Sequence, residues 1–214
     1  MTLDARARFC GRRCRQSAFR ARRLASLHGA GDASPMPAAR RFAYADPPYP
    51  DCARRYYRGE PSYAGEVDHR ALLARLTAGD YDGWALSTSA RALREVLPLC
   101  PPDARVCAWA KPHAVPEATR GLHNAWEPVI VVPGRRMRPG LPDWVRAYPA
   151  RGGGELMGRK PLAFCAWLFR ALGMLPGDDL DDLFPGTGVV GRAWSAVSSG
   201  AAGDVSLPAA SDGP

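Results

Sequence analysis

The sequence predicts an α/β protein whose sheet is mostly parallel. From about Arg40 onward, short apolar segments alternate with helical ones, which is typical of strands joined by crossover helices. With 214 residues, of which 46% are hydrophobic, the chain has room for one domain with a sizeable core. It contains no run of about 18 apolar residues and no apolar signal segment near its N-terminus. We therefore expect a cytoplasmic protein without a membrane span.

The individual strands are short apolar segments bounded by turn residues. In a parallel sheet with right-handed crossovers, ligands gather at the carboxyl ends of such strands. The predicted strands are Arg41–Ala45, Trp84–Ser87, Arg105–Ala110, Glu127–Val132 and Leu180–Leu183.

The helices follow from apolar spacing and from residues that begin or end a helix. Asp68 is a good N-cap, and Pro98 stops the second helix. Pro161 suits the first turn of a strongly apolar helix that Gly173 closes. The predicted helices are Asp68–Ala78, Arg91–Leu97, Leu162–Leu172 and Val189–Val197.

The net charge of the chain lies in its N-terminal arm. Residues 1–41 hold ten arginines against two aspartates, while the remaining 19 Lys+Arg and 19 Asp+Glu cancel. Such an arm is attracted to polyanions, although a solvated tail has the same composition. Lysine occurs twice against 27 arginines, which indicates biased codon usage, so we interpret the charge and not the choice of arginine. The candidate nucleic-acid-binding residues are Arg12, Arg13, Arg15, Arg20, Arg22 and Arg23.

The six cysteines are scattered, which favours reduced thiols over a disulfide framework. Cys10 and Cys14 resemble half of a small zinc knuckle, but a structural zinc site needs four ligands, and only His28 is a plausible third. A truncated remnant or a simple basic helix are the alternatives. No other metal-ligand spacing and no hydrolytic triad is evident. We expect an arm and linker over residues 1–40, a domain over 41–198 and a disordered tail over 199–214.

Two distant motifs carry the chemistry. Asp46-Pro47-Pro48-Tyr49 follows the first predicted strand, and Asp182-Leu183-Phe184-Pro185-Gly186-Thr187-Gly188 follows the last. A strand that runs into a glycine turn and a helix is typical of a cofactor-binding loop. Asp-Pro-Pro alone is also a common turn sequence, so the functional interpretation depends on the pair.

Together these motifs resemble those of DNA amino-methyltransferases of the N6-adenine or N4-cytosine type, in the permuted order and in a small phage- or actinobacterial-like form. The resemblance covers Phe42 to Trp194, and Lys160-Pro161 matches the family's Lys-Pro element. It implies a Rossmann-like methyltransferase fold with a mostly parallel sheet, whose last strands are not evident here. It also implies S-adenosylmethionine as cofactor and DNA as partner.

On the base side, the resemblance assigns Asp46 and the carbonyl of Pro47 to the two N–H groups of the target amine. Pro48 keeps that carbonyl aimed, and Tyr49 stacks on a base swung out of the duplex.

On the cofactor side, Asp182 and Phe184 would line the methionine part of S-adenosylmethionine. Gly186, Thr187 and Gly188 form the turn that lets backbone approach the ligand. Lys160 belongs to the same cofactor-binding set by its place in the Lys-Pro element.

Two departures from the family keep other interpretations open. The acidic residue that binds the ribose is not evident, since Asp204 falls in a Ser/Gly/Ala/Pro-rich tail. The segment 133–159 is too short for a separate specificity domain. The alternatives are a DNA-binding protein with a decayed catalytic domain and a protein glutamine methyltransferase, in which Asn usually replaces Asp46. We expect Trp109 and Trp126 to pack in the core.

Deleting residues 1–41 should lower DNA affinity several-fold at low salt and flatten its salt dependence, because this arm carries the whole net charge. Sequence preference should change little, since phosphate contacts position a protein without reading bases. Fluorescence anisotropy at several salt concentrations measures both. A truncation that erased sequence preference while affinity held would make the arm the specificity element.

Overall fold

The structure is a computed structural model that describes residues 37–49, 67–116, 123–136, 140–149 and 160–200. All elements below lie in the second of the two units into which the chain divides, Ala39–Pro214. The arm arginines, Cys10, Cys14 and Asp204 lie outside the described residues. The predicted boundary near residue 40 and the predicted tail stay predictions.

The described strands are β1 (Arg41–Ala45), β2 (Gly83–Ser87), β3 (Arg105–Pro116), β4 (His123–Val132), β5 (Trp144–Arg146) and β6 (Asp179–Asp182). They form one six-stranded sheet in the order β5-β3-β4-β2-β1-β6. Neighbouring strands are parallel except at β4, which runs antiparallel to both β2 and β3. The predicted α/β class with a mostly parallel sheet is therefore confirmed.

Helices pack on both faces of the sheet because the strands present apolar side chains on both. The helices are α1 (His69–Thr77), α2 (Leu93–Val96), α3 (Leu162–Leu172) and α4 (Val189–Ser198). On β1, Phe42 and Tyr44 pack with α3 and α4, while Ala43 and Ala45 pack with α1 and α2. None of the described helices is both long and apolar enough to cross a membrane.

Helix ends follow the predicted capping residues closely. The Asp68 carboxylate accepts the N–H groups of Arg70 and Ala71 at 2.9 and 3.0 Å, so α1 begins where predicted. Helix α3 has the predicted bounds, and Gly173 ends it in the left-handed conformation at φ 76°. The second helix is shorter than predicted, because the chain tightens into a 3-10 turn over Leu97–Leu99.

The sheet differs from the prediction mainly at β3, β4 and β5. Strands β3 and β4 are longer than predicted, and they pair antiparallel from Arg105↔Val131 to Pro116↔His123. Strand β5 was not predicted, since three residues are too few to show an alternating pattern. It pairs with β3 and lies in the segment 133–159, for which the sequence predicted no strand. Strand β6 begins one residue earlier than predicted and ends at Asp182.

A buried ion pair ties the sheet together at the amino ends of β1 and β6. The Asp178 side chain is 1% exposed and accepts the N–H groups of Arg40 and Leu175 at 2.9 and 2.7 Å. The Arg135 guanidinium, from the loop after β4, donates to both carboxylate oxygens. Both oxygens of Asp178 are thus fully engaged, as a buried carboxylate requires.

Replacing Asp178 with Ala should lower the free energy of unfolding by about 3 to 5 kcal/mol, because it leaves the Arg135 charge without its buried partner. Urea unfolding followed by circular dichroism measures the change. Asp179→Ala is the matched control, since the neighbouring side chain is exposed and should contribute little. Equal losses in both variants would contradict the assignment.

Candidate functional site

Asp46 lies at the carboxyl end of strand β1, the fifth strand in the order of the sheet. Its side chain is 25% exposed and follows directly on the buried residue Ala45. Strands β2 and β6 flank β1 in parallel, so their carboxyl ends reach the same edge of the sheet. Pro47 is buried, and Pro48 and Tyr49 are half-buried. The tetrad Asp46–Tyr49 therefore starts at the edge where ligands bind in such sheets.

The glycine turn lies beside it on the neighbouring strand. Tyr44 pairs with Asp182, and the Leu183 N–H donates to the Tyr44 carbonyl at 2.9 Å, which continues the pairing toward Asp46. The turn then passes through Gly186 and Gly188 at φ 47° and 69° before α4 begins. The expectation that both motifs lie at carboxyl strand ends is confirmed.

The turn holds a carboxylate oxygen without a partner. Asp182 is hydrogen-bonded to the backbone at Phe184 and Gly191, yet its Oδ1 is buried and has no partner in the part of the chain that the structure describes. Burial and the nearby Asp46 raise the pKa of Asp182 against the effect of those backbone bonds. A buried acceptor of this kind favours a ligand that donates.

Asp46 belongs to a cluster of four charged side chains. The Lys160 ammonium lies 3.1 Å from Asp46 Oδ2 and 3.2 Å from Glu127 Oε2. Glu127 Oε1 accepts from the Lys111 ammonium. At most 10% of the Lys160, Glu127 and Lys111 side chains is exposed. The cluster has two positive and two negative groups and is therefore close to neutral when all four are ionised.

Burial disfavours every charge in this cluster, so each pKa reports how far the partners compensate. Burial lowers the pKa of Lys160, but Asp46 and Glu127 outweigh it and the pKa is raised. Burial raises the pKa of Glu127, but Lys160 and Lys111 outweigh it and the pKa is lowered. At Asp46 burial prevails over Lys160, and the pKa is raised. Of Asp46, Glu127 and Lys160, Asp46 is the group whose charge is compensated least by its partners.

Aromatic rings wall the cluster. The ammonium groups of Lys111 and Lys160 each lie 4.9 Å from the Trp109 ring, and Lys160 lies 5.7 Å from Phe164. The Tyr49 hydroxyl is hydrogen-bonded to Glu127, and burial, together with the charges of Asp46 and Glu127, raises the pKa of Tyr49. The rings exclude water from the lysines and strengthen the ion pairs.

Trp109 and Trp126 differ in environment although both were expected in the core. Trp109 is fully buried, and its indole N–H donates to the Ala147 carbonyl at 2.9 Å. Trp126 is 39% exposed, so the expectation was wrong for this residue. Successive residues of a strand point to opposite faces, and Glu127 takes the inner position.

The structure adds two residues that sequence reasoning missed, Glu127 and Lys111. It also places the Lys160 ammonium 3.1 Å from Asp46, whereas the Lys-Pro element suggested a cofactor-binding role for Lys160. One signal was present in the sequence. The only two lysines of the chain, among 27 arginines, both contact Glu127.

Cysteine and metal chemistry find no support in the described residues. Burial raises the pKa of Cys165 to about 12 and of Cys107 and Cys100 to about 11, so these free thiols are protonated at neutral pH. No group of three metal-ligating side chains occurs in the described ranges.

The architecture is that of the Rossmann-like methyltransferases. One solved structure with this fold, the M1.HpyAVI–SAM complex, matches with a TM-score of 0.51 at 15% identity, over 74% of this chain and 78% of the other. A structure of M1.HpyAVI also matches, with a TM-score of 0.49 at 16% identity, over 75% of this chain and 78% of the other. No family model and no curated protein matches the sequence. The likeness is one of fold.

Proposed function

We propose that the protein transfers a methyl group from S-adenosylmethionine to the exocyclic amine of a DNA base, with adenine N6 as the favoured target. One observation carries the proposal. Asp46 and the glycine turn at Gly186, 140 positions apart in numbering, follow two hydrogen-bonded neighbouring strands. An acceptor for an amine and a turn suited to a methyl donor thus lie side by side.

Asp46 is suited to an amine whose lone pair is delocalised into a ring. Such an amine needs hydrogen-bond acceptors to become nucleophilic, and Asp46 offers one. Lys160 lies 3.1 Å from Oδ2, and we assign the other oxygen, Oδ1, to the amine. The carbonyl of Pro47, on the next residue, is the proposed second acceptor.

Tyr49 supports a base as substrate. Its ring follows the acceptor pair by two residues, and its hydroxyl is held by Glu127. A ring fixed in this way could stack on a base that has left the duplex, which enzymes acting on base atoms require. An aspartate at position 46 also favours a nucleic-acid base over a protein glutamine side chain. The basic arm adds the phosphate-binding charge.

The residues of the turn fit S-adenosylmethionine. The unpartnered Asp182 Oδ1 can accept from the amino group of its methionine part, and the N-terminus of α4 can bind the carboxylate. At Gly186 the nearest atom to an added Cβ lies 4.0 Å away, so the turn leaves open space for a ligand. When bound, S-adenosylmethionine supplies a methyl group on a sulfonium that a nitrogen can displace. The SAM complex of the structurally similar M1.HpyAVI supports this choice of donor.

Asp46→Ala should lower methyl transfer to DNA by roughly 100-fold or more, because the target amine loses its charged acceptor. Binding of S-adenosylmethionine and the fold should be retained, since Lys160 keeps Glu127 as a partner. Labelled-methyl transfer measures activity, and calorimetry measures donor binding. Asp103→Ala, an exposed turn residue, is the control. Unchanged turnover in Asp46→Ala would remove the proposed role, and a wild-type protein that binds no donor would indicate a decayed domain.

Gly186→Val should abolish donor binding before it abolishes folding. The new side chain meets open space in the protein but fills the place that the ligand needs. Gly200→Val is a matched control, since Gly200 also has a positive φ and open space, at the end of α4. Calorimetry with S-adenosylmethionine compares the two variants at equal thermal stability. If both bound the donor equally well, the turn would have only a structural role.

A further inference from the structure

The two lysines of this chain occupy one site although arginine supplies almost all its other positive charge. Lys111 and Lys160 both donate to Glu127, one to each carboxylate oxygen. The chain has 27 arginines, of which Arg135 forms a similar buried pair with Asp178. A compact ammonium therefore has a role at this site that a guanidinium does not fill.

The difference between the two cations concerns how many carboxylate oxygens they occupy. A guanidinium is a planar fork that commonly binds both oxygens of a carboxylate, as Arg135 does with Asp178. The Lys160 ammonium binds Asp46 through Oδ2 and directs another donor to Glu127 Oε2. Oδ1 of Asp46 is thereby left for another donor.

Glu127 completes the arrangement. It lies on β4 just outside the part of that strand that pairs with β2, and it is paired with Trp109 of β3. It receives Lys160, Lys111 and the Tyr49 hydroxyl, so it fixes the groups on both sides of Asp46. The Trp109 ring, against which both ammonium groups lie, closes the cluster from the core side.

We propose that Lys160 and Glu127 are positioning residues of the methyl transfer. Lys160 holds Asp46 by one oxygen so that the other meets the target amine, and Glu127 holds Lys160 and Tyr49 in place. This inference rests on the proposed function, and it moves Lys160 from the cofactor side to the base side of the site.

The titration of Asp46 reports this arrangement without any need for catalysis. Removing Glu127 deletes a neighbouring negative charge and leaves Lys160 bound to Asp46, so the pKa of Asp46 should fall. Removing Lys160 deletes the neutralising cation and should raise it further. The titratable groups that face this site are Lys160, Glu127 on β4, Lys111 on β3, Tyr44 on β1, Tyr49, Asp182 on β6 and Cys165 on α3.

The experiment compares the full-length wild type with Lys160→Arg, Lys160→Met and Glu127→Gln. Carboxyl-labelled aspartate is titrated by NMR, and the Asp46 signal is identified by its loss in Asp46→Asn. The same proteins are assayed for kcat and KM with DNA and for S-adenosylmethionine binding by calorimetry. Arg135→Lys is the control, because it exchanges a buried paired cation at the opposite edge of the sheet.

We expect shifts of opposite sign in Asp46, downward in Glu127→Gln and upward in Lys160→Met, with donor binding unchanged. Lys160→Arg should lower kcat by roughly 100-fold, since misplacing a reacting group by about 1 Å has an effect of that size. The acidic limb of the kcat profile in Glu127→Gln should move to lower pH, as the Asp46 signal does. Arg135→Lys should lower thermal stability and leave both the Asp46 titration and kcat unchanged.

Three results would overturn the inference. One is an Asp46 titration that neither Lys160→Met nor Glu127→Gln moves. Another is full kcat in Lys160→Arg, and the third is loss of donor binding in the Lys160 variants, which would make Lys160 a cofactor ligand. Should Lys160→Met fail to fold, the near-isosteric Glu127→Gln and Lys160→Arg decide. If the wild type methylates no DNA, the proposed function fails, and the titration still tests the positioning.

Discussion

The parallel pairing of β1 with β6 is the contact on which the site depends. It joins a strand near the start of the domain to one near its end, and it places Tyr44 opposite Asp182. Parallel strands have their carboxyl ends at the same edge of the sheet. The strand pairing alone therefore brings Asp46 and the glycine turn together, and no direct contact between their side chains is needed. At the amino ends of the same two strands, the Asp178 carboxylate accepts the Arg40 N–H and so links β6 to β1. This hydrogen bond at the amino ends helps to fix the register of β1 and β6, and with it the positions of Asp46 and the glycine turn at the carboxyl ends.

The sequence predicted those parts of the site that depend on strand ends, and it missed those that depend on register between distant strands. Asp46 directly follows the apolar strand β1, and Gly186 lies in the turn after β6, whose end is indicated by the glycines and the helix that follow it. Glu127 points inward because side chains alternate between the two faces along β4. Its pairing with Trp109 depends on the antiparallel pairing of β3 with β4, which the sequence did not indicate. The contact of Lys160 with Asp46 spans most of the domain, and no local pattern encodes it. Strand β5 was missed because a three-residue strand is defined by its neighbour more than by its own sequence.

Composition contains information that motif spacing lacks. Scarce lysine was interpreted as a consequence of codon usage, and as an average over the chain that interpretation accounts for most positions. A bias of this kind also makes each exception informative, since arginine could replace lysine wherever only charge matters. Both exceptions contact one buried carboxylate. The geometry of the ammonium, with donors that diverge from one nitrogen, is the property that distinguishes them from the arginines elsewhere.

Two buried ion clusters among the described residues differ in how far their carboxylates are satisfied. At the amino edge, Asp178 receives donors at both oxygens, including a bidentate guanidinium, and nothing remains for a ligand. At the carboxyl edge, Asp46 has one oxygen engaged by Lys160, and Asp182 has a buried oxygen with no partner in the described ranges. An unsatisfied buried acceptor costs stability, so it persists where a bound molecule completes it. Asp182 Oδ1 is such an acceptor, and Asp46 on the adjacent strand is partly exposed and keeps one oxygen that Lys160 does not engage. The two ligands of the proposed methyl transfer, one at each carboxylate, would meet at this edge.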